Sequence, residues 1–250
     1  MKFLAMAIVM VGFAVFMGYS AEASQTFEED VFDTSAGQVR ITFIGHGTLM
    51  FSFDGKVLHV DPYSKVADYA ALPKADAVLI THEHQDHLDK AALEPIVAPD
   101  TDIVLNAKSA EILGRGRVLK NGESTQVLGI RVEAVPAYNL VHKRDNGQPF
   151  HPKGEHNGYI LNFGDTRIYV AGDTENTPEM KVLQNIDVAF LPMNLPFTMT
   201  PEMVADAALA FRPKVLYPYH MGQMDEERPA KLAALLKDSG IDLRIRKLGR

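Results

Sequence analysis

The chain of 250 residues has no cysteine and no tryptophan. Without cysteine it can be neither disulfide-stapled nor a lipoprotein, and an oxidising compartment is tolerated but not required. Basic residues are in the minority, 25 Lys and Arg against 32 Asp and Glu, for a net charge of −7. That balance lacks the basic footprint of a nucleic-acid binder, so no nucleic-acid partner is expected. No low-complexity tract occurs. The apolar run from Phe3 to Met17 is shorter than the ~20 residues that span a bilayer as a helix.

What is present begins with an export pattern. Met1-Lys2 gives a short positive start, and Ala21-x-Ala23 offers a cleavage site before Ser24. Residues 1–23 are therefore expected to be a signal peptide, with a retained N-terminal anchor as the alternative. A periplasmic or secreted protein without a stable membrane span would result. Cleavage removes Lys2 and Glu22, one charge of each sign, and leaves the net charge unchanged. Residues 24–37 are expected to be a flexible, acidic mature N-terminus, and 38–250 a domain with ample apolar content for a full core.

Short strands alternate with turns from Val39 onward. Val39–Phe43, Thr48–Phe53 and Lys56–Val60 form a meander, with Asp54-Gly55 as a hairpin signal. Ala77–Ile80 reads as a buried strand, followed by a helix from about Leu88 to Ile96. The second half repeats the plan: Ser124–Leu128 and Ile130–Val135, a long polar loop over 139–157, then a hairpin of Tyr159–Phe163 and Thr166–Val170. Strand-like Val188–Leu191 follows. Thr200 caps a helix that runs to Phe211 with Pro201 at its first position. Two such halves suit an α/β four-layer sandwich, two packed sheets with helices outside. A loop as long as 139–157 in a compact domain points to function.

The chemistry concentrates in Thr81-His-Glu-His-Gln-Asp-His-Leu-Asp89. On an extended segment alternate side chains share a direction, so His82 and His84 aim two imidazoles at one point. If a helix follows directly, Asp86 and His87 splay from its first turn toward a second point. Imidazole and carboxylate are zinc ligands, and the cluster suits two cations bridged by water. Asp173, after the apolar run Ile168–Gly172, and His220, after Val215–Tyr219, are ligand types at strand ends. A carboxylate at Asp173 can bridge two ions at the ~3.5–4 Å separation used in two-metal hydrolysis. Gly172 is expected to let the backbone approach the ions closely. His46, His59 and His156 are given no chemistry, and the methionines are read as core filler rather than a copper site.

Thr81-His-Glu-His-Gln-Asp-His87, Ala171-Gly-Asp-Thr174 and Tyr217-Pro-Tyr-His220 resemble, in order, the metal-ligand motifs of the metallo-β-lactamase superfamily. The resemblance covers about residues 38–246. Phe190-Leu-Pro-Met-Asn194 and Thr198-Met-Thr-Pro-Glu-Met203 are similar to the branch of ascorbate-6-phosphate lactonase-like and N-acyl phosphatidylethanolamine phospholipase D-like hydrolases. The resemblance implies an αββα sandwich with a two-zinc site at one edge. It places His82 and His84 on the first metal, Asp86, His87 and His220 on the second, and Asp173 between them. Asp61 matches the aspartate that orients a ligand histidine. The pattern departs at Tyr138-Asn139, where the family usually has a third first-site histidine. Asn139 itself, His142 or, preferred, His151 in Phe150-His-Pro-Lys-Gly154 would take that place.

These residues imply a hydrolase that uses water activated by one or two zinc ions on an ester, lactone or phosphodiester, with manganese or iron as other candidate metals. Asp86 would orient the nucleophile and carry its proton, and Tyr138 could donate to the developing oxyanion. The partner is a small-molecule substrate. Two other readings are a non-catalytic exported metal-binding protein that retains the fold, suggested by Asn139, and redox chemistry at a di-iron centre.

Overall fold

The alternation of short apolar runs with turn residues builds two seven-stranded sheets in the computed structural model, which describes residues 25–223 and 226–248. The expected signal peptide lies outside the described residues. In the first sheet, β1 (Glu28–Thr34), β2 (Gly37–Gly45), β3 (Thr48–Phe53) and β4 (Lys56–Val60) form an antiparallel meander. Then β5 (Ala77–Leu79), β6 (Asp102–Leu105) and β7 (Arg117–Val118) add in parallel. The second sheet repeats this order. Its meander is β8 (Ser124–Val127), β9 (Ile130–Ala137), β10 (His156–Phe163) and β11 (Thr166–Val170), and β12 (Val188–Pro192), β13 (Val215–Tyr219) and β14 (Asp242–Leu243) follow in parallel. At Asp54-Gly55 both residues have positive φ, 48° and 71°, the twist that a two-residue hairpin requires.

Alternation along the strands divides the core into layers. Val39, Ile41 and Phe43 of β2 meet Val188 and Phe190 of β12 between the sheets. Ala189 and Leu191 of β12 face outward, onto Val204, Ala208 and Phe211 of helix α4 (Pro201–Phe211). A strand buried on both faces must be apolar on both, which is why these parallel strands read as continuous hydrophobic runs. Helices α1 (Lys90–Ile96) and α2 (Ala107–Leu113) lie outside the first sheet. Helices α3 (Pro178–Lys181), α4 and α5 (Glu227–Leu235) belong to the second half of the chain. Thr200 caps α4 as expected, its hydroxyl accepting from the Met203 amide at 3.2 Å.

Two expectations are corrected. Within the segment expected to be flexible, residues 28–34 form β1 instead. Its acidic residues find cations brought by the rest of the fold: Asp30 lies 2.6 Å from Arg246 and 3.4 Å from Arg244, and Glu29 lies 2.6 Å from Arg40. Asp86 and His87 also precede α1 instead of opening it. They sit in a turn closed by bonds from the His87 and Leu88 amides to the His84 carbonyl, and Asp89 caps the helix that follows.

Strand ends from both sheets converge at one edge. The Asn157 amide donates to the Thr81 carbonyl at 3.0 Å, the Tyr159 hydroxyl to the Ile80 carbonyl at 2.7 Å, and the Gly172 amide to the Tyr219 hydroxyl at 2.9 Å. These bonds fix the segment after β5 against β10 of the other sheet, and the loop after β11 against the end of β13.

Candidate metal centre

Each side chain at this edge hangs from a strand terminus. Asp61 follows β4, the His82–His87 turn follows β5, Asp173 follows β11, and His220 follows β13. His46 stands in the β2–β3 turn with φ 52°, and its carbonyl accepts from the His220 amide. Gly47 beside it permits the close approach of that turn, since a Cβ there would lie 2.8 Å from the His220 ring and 3.4 Å from that of His87.

Three overlapping groups of donor atoms result, each of which could hold a metal ion; His46, Asp86 and His220 form the less buried one, and the other two lie deeper. His82, His84, His151 and Asp173 form the first. His82 Nε2 is 3.0 Å from His84 Nδ1, and His151 Nε2 is 3.3 Å from Asp173 Oδ2. His87, His220 and Asp173 form the second, with Asp86 alongside. His87 Nε2 and His220 Nε2 are 3.1 Å apart, each 3.5 Å from Asp173 Oδ1, and Asp86 Oδ2 is 3.4 Å from His220. Two donors each about 2.0–2.1 Å from a tetrahedral zinc stand ~3.3 Å apart, so this spacing fits an ion at either position.

Hydrogen bonds behind the rings set which nitrogen faces inward. His87 Nδ1 donates to Asp61 Oδ2 at 2.8 Å. The Thr81 hydroxyl donates to the same oxygen at 2.6 Å, and so accepts from His82 Nδ1 at 3.0 Å. His151 Nδ1 donates to Asn139 Oδ1 at 2.7 Å. In all three rings Nε2 is thereby turned toward the cluster, the arrangement that outer hydrogen bonds impose on ligand histidines. Buried His151 Nε2 and Asp173 Oδ1 have no hydrogen-bond partner. A buried polar atom left in that state is costly, and a cation between the two groups would satisfy it.

The electrostatics point the same way. Burial pushes the pKa of His82 well below that of a free imidazole, and that of His84 down to about 4. Burial also opposes charge on His87, but Asp173, Asp61 and Asp86 outweigh it and hold its pKa well above the ordinary value. For Asp173, burial is outweighed by the imidazoles of His220 and His87, which keep the carboxyl ionised. Two buried carboxylates, Asp61 and Asp173, with the half-buried Asp86 beside them, call for positive charge, which a divalent cation would supply.

The residues singled out in the sequence are gathered here, with roles sorted among them. His151, not His142, joins the first group; His142 Nδ1 is 2.6 Å from Glu175 Oε1. Asn139 contributes no atom to the donor groups and instead holds His151 from behind. Gly172 serves packing rather than approach to the ions: a Cβ would sit 2.7 Å from the Asn157 carbonyl and 3.1 Å from Thr81. Tyr138 is turned away, its hydroxyl donating to Glu179 at 2.7 Å. Sequence reasoning missed His46, whose Nε2 is 3.0 Å from Asp86 Oδ2, and His156, buried and stacked on His82 at 4.7 Å. The position of His46 between two glycines was the available signal; His156 carried none.

A buried array of imidazoles and carboxylates, set between two sheets of an αββα sandwich and opening on a cavity of about 490 Å³, defines a metal-dependent hydrolase. Residues 40–220 match the beta-lactamase superfamily domain, and the chain belongs to the metallo-β-lactamase superfamily. A crystal structure of a candidate metal-dependent hydrolase from Parabacteroides distasonis is 50% identical with a TM-score of 0.84, covering 90% of this chain and 100% of that one. A UPF0173 metal-dependent hydrolase of Methanopyrus kandleri is 27% identical over 222 residues, 83% of this chain and 95% of the relative. Another, from Solibacter usitatus, is 30% identical over 201 residues, 74% and 85% of the two chains.

Proposed function

We propose that the chain is an exported hydrolase that holds two zinc ions and cleaves a small ester, lactone or phosphodiester with an apolar body and a negative charge. One observation carries the two-ion reading: the two oxygens of Asp173 face different donor groups, Oδ2 toward His151 and Oδ1 toward His87 and His220. His82, His84 and His151 would hold the first ion, Asp86, His87 and His220 the second, with Asp173 between them. Bound there, zinc would lower the pKa of water toward ~7 and polarise a carbonyl or phosphoryl oxygen.

The chain's own residues do the rest. Asp86 is partly open to the cavity and held by His46, which suits it to orient the attacking water and pass its proton to the leaving group. Tyr63, Phe150 and Phe197 give the cavity apolar walls, and Arg144 at its lining supplies a cation for a substrate anion. The non-catalytic alternative drew on Asn139 as a poor ligand; with His151 completing the donor set, that support falls away.

Export rests on the composition of residues 1–23, and no helix among the described residues is long and apolar enough to cross a membrane. Fractionation with N-terminal sequencing should find a periplasmic or secreted chain beginning at Ser24. Elemental analysis of protein made without residues 1–23 should give two zinc per chain. A panel of esters, lactones and phosphodiesters should show turnover that a chelator removes. His82→Ala should lose more than the ~10–100-fold typical of an outer-shell change. Full chelator-sensitive turnover in His82→Ala would refute the assignment.

A further inference from the structure

Glu175 is buried without exposure at the start of the loop that follows β11, two residues beyond Asp173. Its carboxylate accepts five hydrogen bonds, all from one short stretch of the polar loop. Oε2 receives the amides of Leu140 and Val141, each at 2.6 Å. Oε1 receives the His142 amide at 2.8 Å, the His142 ring at 2.6 Å and the Asn139 side-chain amide at 3.1 Å. So complete a coordination of one carboxylate shapes the backbone over 139–142.

The same bonds settle Asn139. Its Nδ2 is committed to Glu175 and, at 2.9 Å, to the Phe197 carbonyl, so Oδ1 must point the other way. There it accepts from His151 twice, the amide at 2.8 Å and Nδ1 at 2.7 Å, while the Asn139 amide returns a bond to the His151 carbonyl at 2.9 Å. His151 is thus gripped from behind by Asn139, and its Nε2 faces Asp173 at 3.3 Å. A segment of three residues, Asp173-Thr-Glu175, acts on both sides of one imidazole.

We infer that Glu175, acting through Asn139, is the positioning residue that aims His151 of the polar loop into the first ion position. This rests on the two-ion reading above. With asparagine at 139, the strand end gives up a ligand and instead orients one supplied by the loop. Outer partners of a ligand histidine are worth ~10–100-fold in metal affinity, whereas a merely structural carboxylate would affect folding stability and leave ion binding alone.

Zinc-loaded and cobalt(II)-loaded wild type, Glu175→Gln, Asn139→Ser, His151→Asn and His82→Ala are titrated with chelators of graded strength, and the melting temperature of each metal-free protein is recorded. Wild type should release its ions in two steps. Glu175→Gln and Asn139→Ser should weaken by ~10–100-fold the step that His151→Asn removes, with the other step unmoved and the cobalt spectrum altered in the same band. Asn139→Ser leaves intact the bonds from Glu175 to residues 140–142, so it tests the relay even if Glu175→Gln folds poorly. Lower melting temperatures with both release steps unchanged would overturn the inference and leave the two-ion reading standing. If His82→Ala and His151→Asn alter neither step, the two-ion reading itself falls and takes the inference with it.

Discussion

His59 shows what a single side chain can impose on the acid response. It lies fully buried in β4, donates from Nε2 to the Pro73 carbonyl at 3.1 Å, and leaves Nδ1 without a partner. Burial pushes its pKa from 6.5 down to about 4. The unfolded chain therefore takes up a proton between pH 6.5 and 4 that the folded chain refuses. Stability falls as pH drops through that window and levels off below about 4, by ~3 kcal/mol in all. Denaturant titrations of metal-free protein at pH 7, 5 and 4 should give a difference between wild type and His59→Gln that narrows by this amount. A constant offset would show that His59 does not titrate as argued. At this scale the sequence spoke clearly for His82, His84, Asp86, His87 and Asp173, because their spacing and strand-end positions are local facts. It was silent on Glu175 and ambiguous on Asn139, whose roles exist only through bonds spanning 36 positions of the chain.

Among the elements, the polar loop between β9 and β10 offered only a turn signal, Asn146-Gly147, and little else of its form. It contains a small hairpin of its own, a bridge between Lys143 and Pro149 tightened by the Arg144 amide on the Gln148 carbonyl at 2.8 Å. That hairpin lays Arg144 over the Phe150 ring at 5.0 Å, and Phe150 meets Phe197 edge-on at 5.1 Å. Arg144→Gln should raise KM for an anionic ester by ~10-fold or more, the worth of a hydrogen bond to a charged group, and leave a matched neutral ester unaffected. Steady-state kinetics on the pair decide it, and equal losses on both would remove Arg144 from recognition. Regular elements were more legible: Thr200 and Pro201 announced α4, and Asp54-Gly55 announced its hairpin. β1 was not, since its acidic residues look like a solvated tail until Arg244 and Arg246 arrive from the far end of the chain.

At the scale of the whole molecule, the two sheets are variations on one plan, four antiparallel strands and then parallel ones. The repetition was visible in the sequence as two runs of strands followed by helices, but the line along which the halves meet was not. An ion held there would bind the folded state, and a site saturated 100-fold above its Kd should add ~2.7 kcal/mol. Thermal melts should therefore rise with added zinc and fall with chelator, and His82→Ala should blunt that shift. A melting temperature indifferent to both would deny any ion at the seam.

The first repeat contributes His82, His84, Asp86 and His87, and the second His151, Asp173 and His220, so neither owns a complete binding site. Either repeat translated alone would be a half-furnished sheet with ligands and nothing to share them with. Catalytic competence in such an architecture is a property of the pair of sheets and of neither one alone.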